Sequence, residues 1–224
     1  MNFTALHLSL ALFAATTAPL AMAQDSFPNK PVRFVNNFPA GGPSDLLARS
    51  VAAVLQETLK QPFVVENKAG AAGNIGAADV AKSAPDGHTV LFGIDTTFTV
   101  NPHLYPTMPF KRSDFKPVVV MASSGLLVGV NPATGIKTLA GMIEMGKTKG
   151  LNFSSAGSGS PGHLAVEVIK ESTQAKITHI PYRGNTPAVT AVLSGEVDGG
   201  VLATPGMLPH VQTGKITALS VTSR

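Results

Sequence analysis

Two glycine-rich runs carry the residues best suited to chemistry: Pro39-Ala40-Gly41-Gly42-Pro43-Ser44 and Ser155-Ala156-Gly157-Ser158-Gly159-Ser160-Pro161-Gly162. Each falls between a strand-like run and a helix-like run. Glycine lets the backbone approach a ligand closely, and the first N–H groups of the following helix lack internal partners and carry the positive end of its dipole. Both turns are therefore candidate anion sites, although either alone reads equally as a tight strand-to-helix connection. Two such turns in separate domains could grip an acid from both sides of a cleft. Arg183, between Tyr182 and Gly184 after a strand, is the best single side-chain partner for an acid; fixing its own loop is the alternative role. His163, at a helix start, either caps that helix or meets a carboxylate. Asp198 follows Gly195-Glu196-Val197 and reads first as a turn or cap residue. Facing a ligand, it would favour a hydroxyl, an amine or a bridging water over a second carboxylate. Asp45 and Arg49 have the i,i+4 spacing of a helical ion pair.

Three competing patterns are weaker. Gly157-x-Gly159-x-x-Gly162 fits a dinucleotide fingerprint, yet the next strand ends Ile180-Pro181-Tyr182-Arg183 without the ribose-binding acid, leaving only Arg183 for the 2′-phosphate of NADP. Gly141 to Thr148 spells a P-loop, but Met142-Ile143-Glu144-Met145 is an apolar helical segment. Ser160, Asp198 and His210 could form a hydrolytic trio only by coincidence of folding, because no Gly-x-Ser-x-Gly elbow is present. The six histidines do not pair at metal-ligand spacing. Cysteine is absent, which excludes disulfides, thiolate metal sites, cysteine nucleophiles and an acylated anchor.

These residues need a frame that gathers strand ends. Val32 to Asn36 reads as a buried strand and Ser44 to about Lys60 as a helix, with Leu47, Val51, Leu55 and Leu59 on one face and Ser44 as candidate N-cap. The order repeats in strand Phe63 to Glu66, turn Gly70 to Gly73, helix Ile75 to Ser83 capped by Asn74, and strand Thr89 to Gly93. Pro102 to Pro117 holds four prolines and reads as a surface loop. The apolar runs Val118 to Met121 and Leu126 to Val130 flank Ser123-Ser124-Gly125, where the chain is expected to cross between domains. A second set follows: helix Leu139 to Lys149, strand Leu151 to Ser154, helix His163 to Thr173, strand Ile177 to Ile180, helix Pro187 to Ser194, strand Val197 to Leu202, a helical turn over Pro209 to Thr213, and strand Ile216 to Val221. Strand alternating with helix predicts parallel sheets covered by helices.

Of 224 residues, 44% are hydrophobic but only 13% are charged, so the surface must lean on Ser, Thr, Asn and backbone polarity. The net charge of +4 is spread along the chain, and with no Trp and two Tyr neither a basic stripe nor a stacking platform for nucleic acid exists. Residues 1–23 read as a signal peptide: Leu6 to Leu20 is uncharged, and Ala21-Met22-Ala23 has the small-x-small form of a cleavage site. The departure is Met1 to Ala5, which lacks Lys and Arg. Too short and too diluted by Thr16, Thr17 and Pro19 to span a membrane, the stretch predicts export.

Nine blocks in order carry a family resemblance. They are Phe38-Pro39-Ala40-Gly41-Gly42 with Asp45 and Ala48-Arg49; Val65 to Lys68 with Gly73 to Gly76; Ala84 to Gly87; Asn101-Pro102 with Leu104-Tyr105; Ala156 to Gly159 with His163-Leu164; Pro181 to Gly184 with Pro187-Ala188; Gly195 to Asp198; Gly214-Lys215; and Ala218 to Ser223. Together they resemble the Bug, or tripartite tricarboxylate transporter receptor, group of periplasmic substrate-binding proteins. The resemblance implies a type II periplasmic binding-protein (Venus-flytrap) fold of two doubly wound α/β domains. Residues 24–122 would begin the first domain, 123–215 form the second, and 216–224 return toward the first, with roughly the last quarter to third of the family's length absent. It further implies a small carboxylate held by Ala40, Gly41 and Gly42 from one side and by Ser155, Gly157, Ser158, Gly159 and Ser160 from the other. Thr96 and Thr97 would line the cleft, and His163, Arg183 and Asp198 would tune selectivity. Expected with it are a periplasmic monomer, hinge closure, no catalysis, no cofactor and no metal, with delivery to the membrane subunits of a tripartite transporter or to a sensor kinase. The alternatives are an exported NADP-binding or hydrolytic enzyme and an inactive truncated receptor. Asn36-Asn37 and Lys68-Ala69 depart from the family's usual apolar-Pro and Arg-Pro.

Overall fold

Short apolar strands alternating with helices build two sheets in the computed structural model, which describes residues 27–223. The expected signal peptide lies outside the described residues. The first sheet has strand order β2-β1-β3, with β1 (Val32–Asn36) between β2 (Phe63–Asn67) and β3 (Thr89–Phe92), all parallel. A central parallel strand is covered on both faces, which is why Val32, Phe34 and Val35 form an almost unbroken apolar run. Helix α1 (Pro43–Leu59) packs on β1 and β2, burying Ala48 and Ala52. Its N-cap is Gly42 with Pro43 in the first turn, not Ser44, because proline suits the position whose N–H has no partner anyway. Helix α2 (Asn74–Ala81) packs on β1 and β3 and starts from Gly73. Asn74 does not cap it; its side-chain oxygen accepts from Asn101 Nδ2 at 2.8 Å. Within the expected Pro-rich loop, α4 (Asn101–Leu104) follows the short α3 (Thr96–Thr99). The run Val118 to Met121 forms no strand, and Val118 and Val120 are 83% and 87% exposed.

The second sheet has order β6-β5-β7-β4-β8. Its strands are β4 (Leu126–Val130), β5 (Leu151–Ser155), β6 (Ile177–Pro181), β7 (Gly199–Ala203) and β8 (Thr217–Val221). Strands β5, β6 and β7 are parallel, while β4 runs antiparallel to both β7 and β8. Thr217–Val221 is the outer strand of this sheet, because its backbone pairs with β4. Helices α5 (Leu139–Thr148) and α6 (Pro161–Thr173) supply one face, where Met142 and Val166 are fully buried beside Phe153. Helices α7 (Asn185–Ser194) and α8 (Thr204–Gln212) supply the other, around Val189, Val192, Leu202 and Met207. The formal P-loop match lies inside α5 and forms no loop. No helix of the described residues is long and apolar enough to cross a membrane.

Candidate functional site

Parallel strands bring their carboxyl ends to one edge, and ligands of open α/β sheets bind outside that edge. A cleft of about 190 Å³ lies there, between the two sheets. From the first sheet it is lined by Phe38 and Pro39 after β1 and by residues 69–73 after β2; the second contributes Gly157 and Ser158 after β5 and Pro181, Tyr182 and Arg183 at the end of β6. Tyr105 closes one side. Two glycines show how closely the sheets approach. A Cβ on Gly184 would lie 2.6 Å from Pro39 Cγ, and one on Gly159 would lie 2.9 Å from Asn101 Oδ1 and 3.0 Å from Leu104 Cδ1.

On the first side, the turn after β1 is held by buried Asp45. Its carboxylate accepts from Gly41 N at 2.9 Å, Arg49 Nε at 3.0 Å and Asn67 Nδ2 at 2.8 Å. Burial pushes this carboxyl up, but the three donors outweigh it and leave it below the usual range. The turn after β2 is strained: Ala71 and Ala72 both sit in the left-handed region, at φ of 47° and 50°, which costs roughly 1–2 kcal/mol per residue. Three buried side chains impose that shape from below. Asn101 Nδ2 donates to Ala72 O at 3.0 Å, Thr97 Oγ1 to the same carbonyl at 3.3 Å, and Asn37 Nδ2 to Gly73 O at 3.2 Å.

On the second side, the turn after β5 is tied to itself. Ser155 Oγ accepts from Gly157 N at 3.2 Å, Ser160 Oγ accepts from His163 N at 3.3 Å, and His163 Nδ1 accepts from Gly159 N at 3.1 Å. Tyr182 OH donates to Glu196 at 2.7 Å, and burial together with that bond pushes its phenol up to about 12. Arg183 is exposed, has no ion pair among the described residues, and is the sole cation among the cleft-lining residues.

The structure therefore sorts the residues nominated from sequence. Gly157, Ser158 and Arg183 line the cleft. Ala40, Gly41 and Gly42 flank it behind Pro39, where Gly41 N is taken by Asp45, while Ala40 N, Gly42 N and Ser158 N have no acceptor among the described residues. Ser155, Gly159, Ser160 and His163 support the turn, since their hydrogen bonds hold its backbone. Thr96 and Thr97 are buried in α3, beneath the turn after β2, and do not line the cleft. Asp198 is away from it: as the residue before β7 it lies beside the start of β5, where its Oδ2 accepts from Asn152 N at 2.7 Å. That position also separates it from Ser160, so the hydrolytic trio is not assembled. Sequence reasoning missed Ala71, Ala72, Tyr105, Tyr182 and the supports Asn37 and Asn101. The signal was Gly70-x-x-Gly73, a third turn of the same strand-turn-helix grammar. No group of three His, Cys, Asp or Glu among the described residues could hold a metal ion.

Residues 47–224 match the family described as Tripartite tricarboxylate transporter family receptor. Protein BugT of Bordetella pertussis (strain Tohama I) is 36% identical over 228 residues, covering 100% of this chain and 70% of its own. Among solved structures, R. palustris Rpa4515 with adipate is 34% identical with a TM-score of 0.85, covering 88% of this chain and 67% of its own. MatC from Rhodopseudomonas palustris with bound malate is 28% identical with a TM-score of 0.77, over 88% and 68%. The chain thus spans about two thirds of the length of these relatives. Two α/β units facing each other across a cleft, and a match running through both, place the chain in the tripartite tricarboxylate transporter receptor family, with the type II periplasmic binding-protein fold.

Proposed function

We propose that the protein captures a small organic acid in this cleft, in the periplasm, and presents it to the membrane subunits of a tripartite transporter. The observation that carries the reading is the pairing of an unpaired guanidinium, Arg183, with the free amide of Ser158 on the second side, opposite a strained and rigidly supported turn on the first. A carboxylate is the ligand that such donors suit, because charge-assisted bonds to Arg and to backbone N–H are short and strong. The relatives solved with malate and adipate carry dicarboxylates of four and six carbons, and a dicarboxylate in this range is the proposed ligand class.

Catalysis is disfavoured by the same geometry. Ser160 Oγ caps α6, Asp198 lies at the far end of the sheet, and Ser155, whose hydroxyl does meet His179, is fully buried, so among the described residues lining the cleft no nucleophile meets a base. Gly162 does let α6 pack on β7, where a Cβ would meet the Val201 backbone, as in a dinucleotide fold. The α6 N-terminus is nevertheless filled by Ser160, and 190 Å³ is below the roughly 300–1,000 Å³ of most cofactor pockets. Thermal unfolding against mono-, di- and tricarboxylates, acidic amino acids and NADP tests the reading. A dicarboxylate at 100 times its dissociation constant is expected to add about 2.7 kcal/mol. A shift with NADP alone, or with none of the acids, overturns it.

A further inference from the structure

His179, on the edge strand β6, is unremarkable in sequence and lies outside the cleft lining, yet it completes a hydrogen-bond count. Ser155 Oγ has one proton and two acceptor positions. Gly157 N reaches it at 3.2 Å and can only donate; Ser160 Oγ donates to it at 3.3 Å while accepting from His163 N. Both acceptor positions are then filled. The Ser155 proton must go outward, and its nearer acceptor is His179 Nε2 at 2.6 Å, with Gly157 O more distant at 3.2 Å. His179 Nε2 is therefore unprotonated, and the same logic makes His163 Nδ1 the acceptor for Gly159 N. The two rings stack with centroids 4.1 Å apart and planes at 25°, an arrangement that two imidazolium ions would oppose.

We propose that His179 is a positioning residue for the second glycine-rich turn: as a neutral acceptor it orients the Ser155 hydroxyl that holds Gly157 at the cleft. The titratable groups facing it are His163, Glu167 and Lys170, all on α6; β5 presents Phe153 directly opposite it. Glu167 is held by Lys170 at 2.8 Å. Burial first, and His163 second, push His179 down to about 4, so the ring is neutral near pH 7 and has a nitrogen free to accept. Protonation would place a third donor on Ser155 Oγ, and either Gly157 or Ser160 would have to let go.

The test uses isotopically labelled chain with no ligand, so it stands apart from the acid-capture reading on which the affinity arm alone rests. At pH 7.5 the ring nitrogen shifts of His179 are expected to show the Nδ1–H tautomer. On acidification the Gly157 amide resonance should move with the His179 midpoint. In H179Q, whose Oε1 can accept but never protonates, that movement should vanish. An Nε2–H tautomer, or a Gly157 titration unchanged in H179Q, overturns the proposal. In the affinity arm, measured at pH 7 with adipate as probe, H179F should weaken binding about tenfold, the effect of one lost hydrogen bond, and H179Q should restore most of it. Equal weakening in both variants also overturns the proposal. Failure of the unmodified chain to bind adipate counts against the ligand class, and the resonances then decide the role of His179.

Discussion

Replacing Gly184 with alanine separates closure from folding. Gly184 adopts φ 118° and ψ 176° before α7, a region that costs a non-glycine residue about 1–3 kcal/mol. That strain lies within the second unit and lowers its stability whether or not the cleft is closed. The new methyl carries a second cost. Its carbon would sit 2.6 Å from Pro39 Cγ, against roughly 3.5–4.0 Å for a relaxed carbon contact, so the two turns must part by about 1 Å. Overpacking of this size costs about 1–3 kcal/mol, and only in the closed arrangement, because an open cleft removes Pro39 from reach. Apparent affinity falls with the fraction of molecules able to close, giving a loss of about 5- to 150-fold for a dicarboxylate by calorimetry. Gly135→Ala is the control: φ is 72° and nothing lies within 4 Å of its Cβ, so it carries strain without a closure cost. The expected result is a lowered melting temperature in both variants and weakened binding in Gly184→Ala alone. Unchanged affinity in Gly184→Ala would refute the assignment of Pro39 and Gly184 as a closing contact.

Three further outcomes can be measured on the same preparation. Arg183→Gln removes the sole cation of the cleft lining; loss of a charged hydrogen bond of about 1.5–3 kcal/mol predicts a 10- to 150-fold weaker dicarboxylate affinity, with the melting temperature nearly unchanged because the side chain is exposed. Asn37→Ala frees Gly73 O and Thr97 Oγ1, both now bonded to Asn37 Nδ2 at 3.2 Å; an expected loss of about 1–3 kcal/mol in urea unfolding should accompany weaker binding, as Ala71 and Ala72 relax from the left-handed region. Stability should also fall on acidification through His179. With a folded pKa of about 4 against an ordinary 6.5, the unfolded chain binds more protons between those values, so stability is complete above pH 6.5 and is lost as pH drops toward 4. The shift corresponds to at most about 3 kcal/mol, and about 1–2 kcal/mol after allowing for solvent around the half-buried ring. Subtracting the pH profile of H179Q isolates this share from the carboxylates Asp45, Asp79, Asp86 and Glu167, which are also held below their usual range; identical profiles would refute it.

The fold was legible where local pattern and tertiary burial agree. Val32 to Asn36 is bounded to the residue because a central parallel strand needs side chains that tolerate burial on both faces, and that run has no other reading. By contrast, β7 begins two residues later than the expected Val197: Val197 N donates back to Ala191 O at 3.4 Å, and the strand opens on Gly199 and Gly200, where a side chain has no room. A Cβ at Gly199 would meet the Phe153 ring at 2.8 Å, and one at Gly200 would lie 3.1 Å from the Ser154 carbonyl oxygen. The site was legible as turns but not as contacts. Sequence shows which segments bear glycine and amide donors; it does not show which donors the turn itself consumes. Gly41 N goes to Asp45, Gly157 N to Ser155, Gly159 N to His163 and Ser160 N to Gly157 O, and each of these bonds fixes the backbone that a ligand would meet. His179 had no spacing to betray it, since its partners lie on a neighbouring strand and a covering helix. A residue between Thr178 and Ile180 acquires a role only when β5 and β6 pair and bring Ser155 opposite Pro181, two residues beyond it. The donors left to a ligand are those the turns do not need, and among the cleft-lining residues these include the amides of Gly70, Ala71, Ala72 and Ser158 together with the guanidinium of Arg183.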